Sequence, residues 1–529
     1  MGFILNKSKI KSLLMIPEYY NILLKIYEKV KVPVIEEKKP PDNIEIVDEY
    51  WIIPNFVKVQ IWRDLETLRT YYNIIEPTLA RNEFELLNLI YNDLRKSLIL
   101  KELEADIESK TRALLEALDE LLEEYGLSVK EELTLKMLYY LFRDFFGFGA
   151  IEPLLLDPKL EDISCDGYDI PVYVFHRDHG SMPTNIKFSQ SELDSIVLLL
   201  GQKAGKHISY ATPLIDATLP DGSRAQLTYG SEVTTRGSTF TIRKFRAEPF
   251  TPIDLMRFGT LNSGILAYYW LLIENKMSFM VIGETAAGKT TTLNALMMFL
   301  PPDAKVVSIE DTREIQLYHE NWIPGVTRMG VEGKDIEMFD LLRAALRQRP
   351  DYIIVGEVRG KEAQTLFQAM STGHASYATF HAGDVNQLIY RLENPPLDVP
   401  RVMIQFLDSV IVQFMWIRRG LRKRRAREIV EIVGIDPATK DLLITPVFKW
   451  DPATDKFVQV SDSKKLEKIA VLSGVDVIEV IEELRRRKEF LEMMLEKGIR
   501  DYVTVTKFIH MYYKNPELAV EELRSYGRS

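Results

Sequence analysis

GETAAGKTTTLNAL, residues 283–296, sets two glycines, a lysine and a run of hydroxyl residues between the apolar FMVIG of 279–283 and the helix-forming TTTLNALMMFL of 290–300. Gly283 to Thr290 fits the phosphate-loop pattern G-x-x-x-x-G-K-[ST] in full, in the strand-then-helix context that the pattern requires. Glycine lets successive backbone N–H groups curl around a phosphate without a Cβ clash, and the following helix offers its positive end. The predicted cradle runs through Gly283, Glu284, Thr285, Ala286, Ala287 and Gly288 to Lys289, Thr290 and Thr291. Lys289 is expected to reach the β- and γ-phosphates and Thr290 to ligate Mg²⁺, so ATP and Mg²⁺ are the expected cofactors.

Outward from that loop, strand-like FMVIG, KVVSIE and DYIIVGE alternate with helix-like TTTLNALMMFL and FDLLRAALRQR. This alternation predicts a parallel α/β sheet, a P-loop domain over 253–460. Its strand VIVQFMWI leads into RRGLRKRRAR (418–427), then two period-two runs separated by DPATKD and DPATDK, a β-meander at the sheet edge. RRGLRKRRAR itself reads as a solvated loop, with contact to acidic lipid headgroups as the alternative. A charged helical C-terminal tail occupies 461–529. Upstream, the short strands PVYVFHR, NIKF, AQLTYG and STFTIRKF predict an α+β domain over 147–245, and RAEPFTP, with two prolines in four residues, a linker over 246–252. Residues 1–146 read as mostly helical, with a short amphipathic helix at the start and strands favoured in EIVDEYWIIPNFVKVQI (45–61).

Three further stretches carry chemistry. DYIIVGE ends an apolar strand in Glu357, with Gly356 where many P-loop enzymes have an aspartate; Glu357 is expected to meet Mg²⁺ through water or to orient the attacking water. SIEDTREI delivers Glu310, Asp311 and Glu314 within five residues, a costly crowding unless the carboxylates hold a cation or polarise water. Glu310 is the favoured general base and Asp311 a candidate at the metal. TGHASYATFHAGD carries His374 and His381; without cysteine or carboxylate companions the pair makes a poor metal site. His381 reads as a contact to the γ-phosphate or a relay of nucleotide state, and His374 equally as a structural residue.

Composition narrows the field. At 529 residues the chain exceeds one ordinary core, and its formal charge of −10 argues against general attachment to nucleic acid. The single cysteine, Cys165, allows no intrachain disulfide and no multi-cysteine zinc site, which fits a reducing cytoplasm. The start does not read as a signal peptide, and VIVQFMWI is too short to cross a bilayer. Any membrane association is expected to go through a partner.

GETAAGKTTTLNAL, SIEDTRE, VGEVRG and TGHASYATFHA together resemble the Walker A, Asp-box, Walker B and His-box of the type II/IV secretion ATPase superfamily, the motors of secretion systems, type IV pili and the archaeal flagellum. LEDISCDGYDIPVYVFHR and ATLPDGSRAQLTYG resemble the family's N-terminal domain, so the likeness spans about 147–430. It implies a RecA-like P-loop domain preceded by a PAS-like α+β domain, a homohexameric ring, and arginines of the N-terminal domain completing the nucleotide site; Arg224, Arg236 and Arg243 lie in the matching segments. With one cysteine the chain lacks the tetracysteine module common in bacterial members, and with LYHENWIPGVTR and the long N-terminal region it resembles the archaeal branch. The resemblance therefore implies a Mg-ATP-hydrolysing hexameric motor at the cytoplasmic base of an archaeal type IV pilus-like machine, driving filament assembly or rotation. A polytopic membrane platform protein and accessory cytoplasmic motor proteins would be its partners, with no nucleic acid. The alternatives are a type II-like secretion ATPase, a nucleic-acid-dependent helicase or packaging motor, and a module that uses ATP as a structural ligand.

Overall fold

A computed structural model describes residues 16–36, 40–98, 106–246, 248–328, 335–418 and 421–527. The helix expected at the start of the chain falls largely on 1–15, outside the described residues; the first described helix is Glu18–Val30. The chain divides into two units, one ending at Phe245 and the other beginning at Arg246.

The first unit is built on a nine-stranded sheet. Its strands are β1 (Ile44–Ile53), β2 (Val57–Asp64), β3 (Thr70–Ile75), β4 (Leu160–Cys165), β5 (Pro171–His176), β6 (Gly180–Lys187), β7 (Leu214–Thr218), β8 (Arg224–Thr228) and β9 (Thr239–Arg243). They lie in the order β1-β2-β3-β6-β5-β4-β9-β8-β7. The strand-favouring 45–61 stretch forms β1 and β2, and β3 joins the rest of the sheet through one parallel pair, Tyr72 with Thr184. Helices Arg81–Leu98, Ile107–Glu124 and Glu131–Phe145 follow β3 in the chain. The ring of Tyr139 is stacked against both Tyr20 and Phe56 in the core.

One buried carboxylate ties the early strands to the later ones. Asp157 has no solvent exposure, and accepts the hydroxyls of Tyr50 from β1 at 2.6 Å and Tyr72 from β3 at 2.5 Å, with the Lys159 N–H at 2.8 Å. Tyr50 also meets His176 Nε2 at 3.2 Å. Each charge-bearing oxygen of Asp157 thus has a donor, which is what a buried carboxylate needs to be stable.

The second unit holds the other nine-stranded sheet, with β10 (Phe279–Gly283), β11 (Val306–Glu310), β12 (Trp322–Val326), β13 (Tyr352–Val355), β14 (Ala375–Phe380), β15 (Ser409–Arg418), β16 (Leu421–Ile435), β17 (Leu442–Asp451) and β18 (Lys456–Gln459). The order β12-β11-β13-β14-β10-β15 is parallel throughout, and β16, β17 and β18 continue it antiparallel. This is the expected α/β core, of RecA-like strand order, with the expected meander at its edge. The central strands are apolar without alternation because helices cover both faces of such a sheet. Every residue of β10, β11, β13 and β14 is buried.

The C-terminal helices pack into this unit's core. Helices Lys464–Ser473, Val477–Glu496, Tyr502–Lys514 and Pro516–Ser525 bury Phe490, Leu491, Met494, Ile509 and Leu523 in one cluster with Trp270. Arg487 stacks on the Trp270 ring with its guanidinium carbon 4.9 Å from the centroid. The buried Glu431 of β16 accepts the backbone N–H of Lys464 at 2.8 Å and of Lys465 at 3.2 Å, at the start of the first of these helices. A carboxylate there is favoured by the unpaired N–H groups and the helix dipole.

No helix among the described residues is long and apolar enough to cross a membrane.

Candidate active site

The loop after β10 owes its shape to two glycines, for different reasons. A Cβ on Gly283 would stand 2.2 Å from the carbonyl oxygen of Gln413 on β15, so a close backbone approach requires glycine there. Gly288 has φ +90° and directly precedes the helix Lys289–Leu296, a conformation that glycine adopts without cost. Between them Ala286 has φ +62°, a left-handed alanine in the exposed loop tip. Such a residue costs about 1 kcal/mol or more and persists where the surroundings hold it.

Lys289 is buried and its ammonium donates to the Glu284 carbonyl at 3.0 Å. The same nitrogen lies 3.4 Å from His381 Nδ1 and 3.5 Å from Nε2. His381 Nε2 is in turn 3.1 Å from Glu357 Oε1. Burial first, and the charge of Lys289 next, lower the pKa of His381 against the opposing pull of Glu357. Strand order explains this series of contacts: β14, which ends just before His381, lies between β10 and β13, which ends just before Glu357. Arg359 donates to Glu357 Oε2 and stands 3.9 Å from Asp311 Oδ2, and its bond to Glu357 raises its pKa.

Glu310 closes β11 and is 2 % exposed. Its Oε1 accepts the N–H groups of Glu314 and Ile315, each at 2.9 Å, while Oε2 is buried without a partner. Burial pushes its pKa up to about 7 against those two backbone bonds. Gly356 makes room for it: a Cβ at 356 would lie 3.0 Å from Glu310 Cγ. The glycine standing where other P-loop enzymes carry an acid is thus the space into which Glu310 packs.

The structure brings together Lys289, His381, Glu357, Arg359 and Asp311, with Glu310 packed on Gly356 beside Glu357; Thr290 and Thr291 follow Lys289 in the first turn of its helix. His374 stands apart in the turn before β14, with Nδ1 3.3 Å from the Thr372 hydroxyl. Arg224, Arg236 and Arg243 belong to the first unit. Arg224 and Arg243 are exposed cross-strand partners on β8 and β9, and Asp162 on β4 faces Arg243 from the other side. Arg236 sits in a turn against which Gly167 packs, where a Cβ would come within 2.7 Å of the Arg236 carbonyl. Among the described residues none of the three guanidiniums forms a hydrogen bond or ion pair.

RRGLRKRRAR is not a solvated loop in its described part. Residues from Leu421 onward open β16, and their charges are used in alternation. Arg424 Nε donates to the Ala286 carbonyl at 3.0 Å, whereas Arg425 bridges Asp455 at 2.7 and 2.9 Å and donates to the Phe258 carbonyl at 2.8 Å. Arg427 donates to the Gly383 carbonyl at 3.0 Å, and Arg391 to the carbonyl of His381. The density of positive charge masks a period-two strand whose two faces serve different partners.

The residues present fit a nucleotide phosphate and its cation. Two glycines preserve space that side chains would fill, a lysine spans the loop to its Glu284 carbonyl, and a buried carboxylate oxygen lacks a donor. A P-loop in this setting, with a carboxylate at the end of β13, defines a nucleotide-binding ATPase. The family model for the type II/IV secretion system protein matches residues 162–437, and the chain belongs to that family. A second model, PilB3-like, C-terminal, matches residues 453–524, the last strand and the C-terminal helices.

An uncharacterised protein of Methanocaldococcus jannaschii is 41 % identical over 385 residues, covering 72 % of this chain and 70 % of that protein. A second uncharacterised protein of the same organism is 50 % identical over 242 residues, 45 % of this chain and 90 % of that protein. A putative conjugal transfer protein of Mycobacterium tuberculosis is 32 % identical over 256 residues, 47 % of this chain and 72 % of that protein. Among solved structures, the ATPase DotB of Legionella pneumophila aligns over 66 % of this chain and 92 % of its own at 18 % identity and TM-score 0.38.

Proposed function

We propose that this ATPase is a homohexameric motor at the cytoplasmic base of an archaeal type IV pilus-like machine, working through a polytopic membrane platform protein and accessory cytoplasmic motor proteins. The observation that carries the chemistry is the series Lys289, His381 and Glu357, set on the segments that follow three adjacent strands, with Glu310 packed on Gly356 beside it. The relatives in an archaeon support the branch, and the family's ring-forming habit the hexamer. The segment 246–252 serves as the hinge between the α+β domain, 147–245, and the P-loop domain, 253–460.

Bound Mg²⁺ would neutralise phosphate charge, and the residues that would hold it are Thr290 and Asp311, with Glu357 acting through water. Lys289 exchanges its Glu284 carbonyl for a phosphate oxygen. Glu310 takes the proton of the water whose oxygen bonds to the γ-phosphorus, while the bridging oxygen leaves with ADP; its orphaned oxygen is the acceptor. His381, held between Lys289 and Glu357, registers the γ-phosphate. Arg224, Arg236 and Arg243, exposed and with guanidiniums forming no hydrogen bond among the described residues, neutralise transition-state charge in the ring.

A transfer or secretion role on the same chemistry is the second reading, favoured by the conjugal transfer relative. The first test measures ATP hydrolysis and solution mass for wild type and Lys289→Ala, with and without Mg-ATP. The expected result is hydrolysis lost at least about 100-fold in the variant and a nucleotide-dependent shift of wild type to six chains. Hydrolysis by a persistent monomer would remove the ring and the shared arginines, and strong stimulation by DNA would turn the reading toward a nucleic-acid motor.

A further inference from the structure

The phosphate loop is flanked by two unlike edges. On the β14 side stand His381 and, beyond it, Glu357 and Glu310, the groups suited to bond cleavage. On the β15 side stand Gln413 and, beyond it, Arg424 of β16.

Arg424 reaches the loop itself. Its Nε holds the carbonyl of the left-handed Ala286, and its Cδ lies 3.0 Å from where a Cβ on Gly288 would stand. Lys423, Arg425 and Arg427 around it each have a carboxylate within 4 Å, at 3.4, 2.7 and 3.8 Å respectively. Arg424 has none among the described residues, so its remaining N–H donors form a fork without a protein acceptor. A guanidinium fork matches two phosphate oxygens. Gln413, 2 % exposed, brings its Nε2, a donor, within 3.3 Å of the same Gly288 position. A cation lacking a counter-charge and the N–H donors of an amide therefore converge on the side of the loop away from the carboxylates.

We propose that Arg424, with Gln413 beside it, binds the diphosphate part of the nucleotide, common to ATP and ADP, and takes no part in cleaving the γ-phosphate. The proposal rests on the phosphate-loop reading above. It divides the site by strand order: binding of the retained nucleotide on the β15–β16 side, chemistry on the β13–β14 side.

The test measures affinity and dissociation rate of a fluorescent ADP analogue, and steady-state ATP hydrolysis, on the full chain carrying Arg424→Ala, Arg424→Lys or Lys289→Ala. Arg424→Ala is expected to weaken ADP and ATP binding about tenfold, mostly by faster dissociation, with kcat within about threefold of wild type. Arg424→Lys keeps the charge but not the fork and falls between the two. Unchanged nucleotide affinity, or a fall in kcat at unchanged affinity, overturns the proposal. Should Arg424→Ala fail to fold, Arg424→Lys decides the matter by the same readouts. Lys289→Ala separates the layers: ADP binding intact in that variant would defeat the phosphate-loop reading, whereas binding lost there but kept in Arg424→Ala defeats only the role of Arg424.

Discussion

Asp157 in the first unit and Glu310 in the second are both buried carboxylates at the ends of structural elements, yet their surroundings are opposite. Asp157 receives two tyrosine hydroxyls and a backbone N–H, so both of its oxygens have donors. Glu310 has donors on one oxygen and none on the other, and its pKa rises to about 7 through burial. A fully satisfied buried charge holds elements together; a half-satisfied one waits for something to bind. On the function proposed above, the contrast separates a carboxylate used as a fastener from one kept for chemistry.

The contrast breaks first, and most visibly, at Glu310. Glu310→Gln keeps an oxygen for the Glu314 and Ile315 N–H groups and removes the proposed proton acceptor, so hydrolysis is expected to fall about 100-fold or more while the melting temperature stays within a few degrees of wild type. A variant that melts early and hydrolyses normally would place Glu310 among the fasteners.

Asp157→Asn is the opposite experiment. It weakens two short hydroxyl contacts in the core, and the first unit is expected to lose roughly 2–3 kcal/mol in denaturant unfolding, with the phosphate loop still binding nucleotide. Unchanged stability would show that the tyrosines are not fastened by the charge.

A smaller effect follows from His176, fully buried beside Tyr50, whose pKa burial lowers to about 4 while Asp157 and Asp178 pull the other way and His179 and Lys159 add to the fall. An unfolded histidine titrates near 6.5, so between those values the unfolded chain binds the extra proton. This contribution to stability is complete above about pH 6.5 and declines as pH falls toward 4. His176→Gln is expected to flatten the slope of stability against pH in that window; an identical slope would remove the histidine from the account.

Much of the candidate nucleotide site was legible because it is local. Gly283 to Thr290, the strand ending before Glu357 and the strand ending in Glu310 each declare themselves within ten residues, since a loop that wraps a phosphate needs glycine, lysine and hydroxyl at fixed spacing. The β-meander was likewise marked by its two DPAT turns. What lay hidden depends on distant pairing. RRGLRKRRAR looks like a wet surface, and only the sheet order reveals that Arg424 lies on the phosphate loop. The single Tyr72–Thr184 pair that carries β3 into the larger sheet has no local signature. The C-terminal helices read as a charged tail because the residues that bury against Trp270, such as Phe490 and Met494, are few among many Glu, Lys and Arg.

Strand β16 holds Arg424 on the phosphate loop, Arg425 on the Phe258 carbonyl and Asp455, and Glu431 on the first of the C-terminal helices. At about 3.3 Å per residue these anchorages span roughly 20 Å of one hydrogen-bonded rod. Two neighbouring families of sequence, the ATPase core and the C-terminal helical segment, are thus mounted on a common beam, and a C-terminal truncation placed before Ser463 would saw through its support at the far end from the nucleotide.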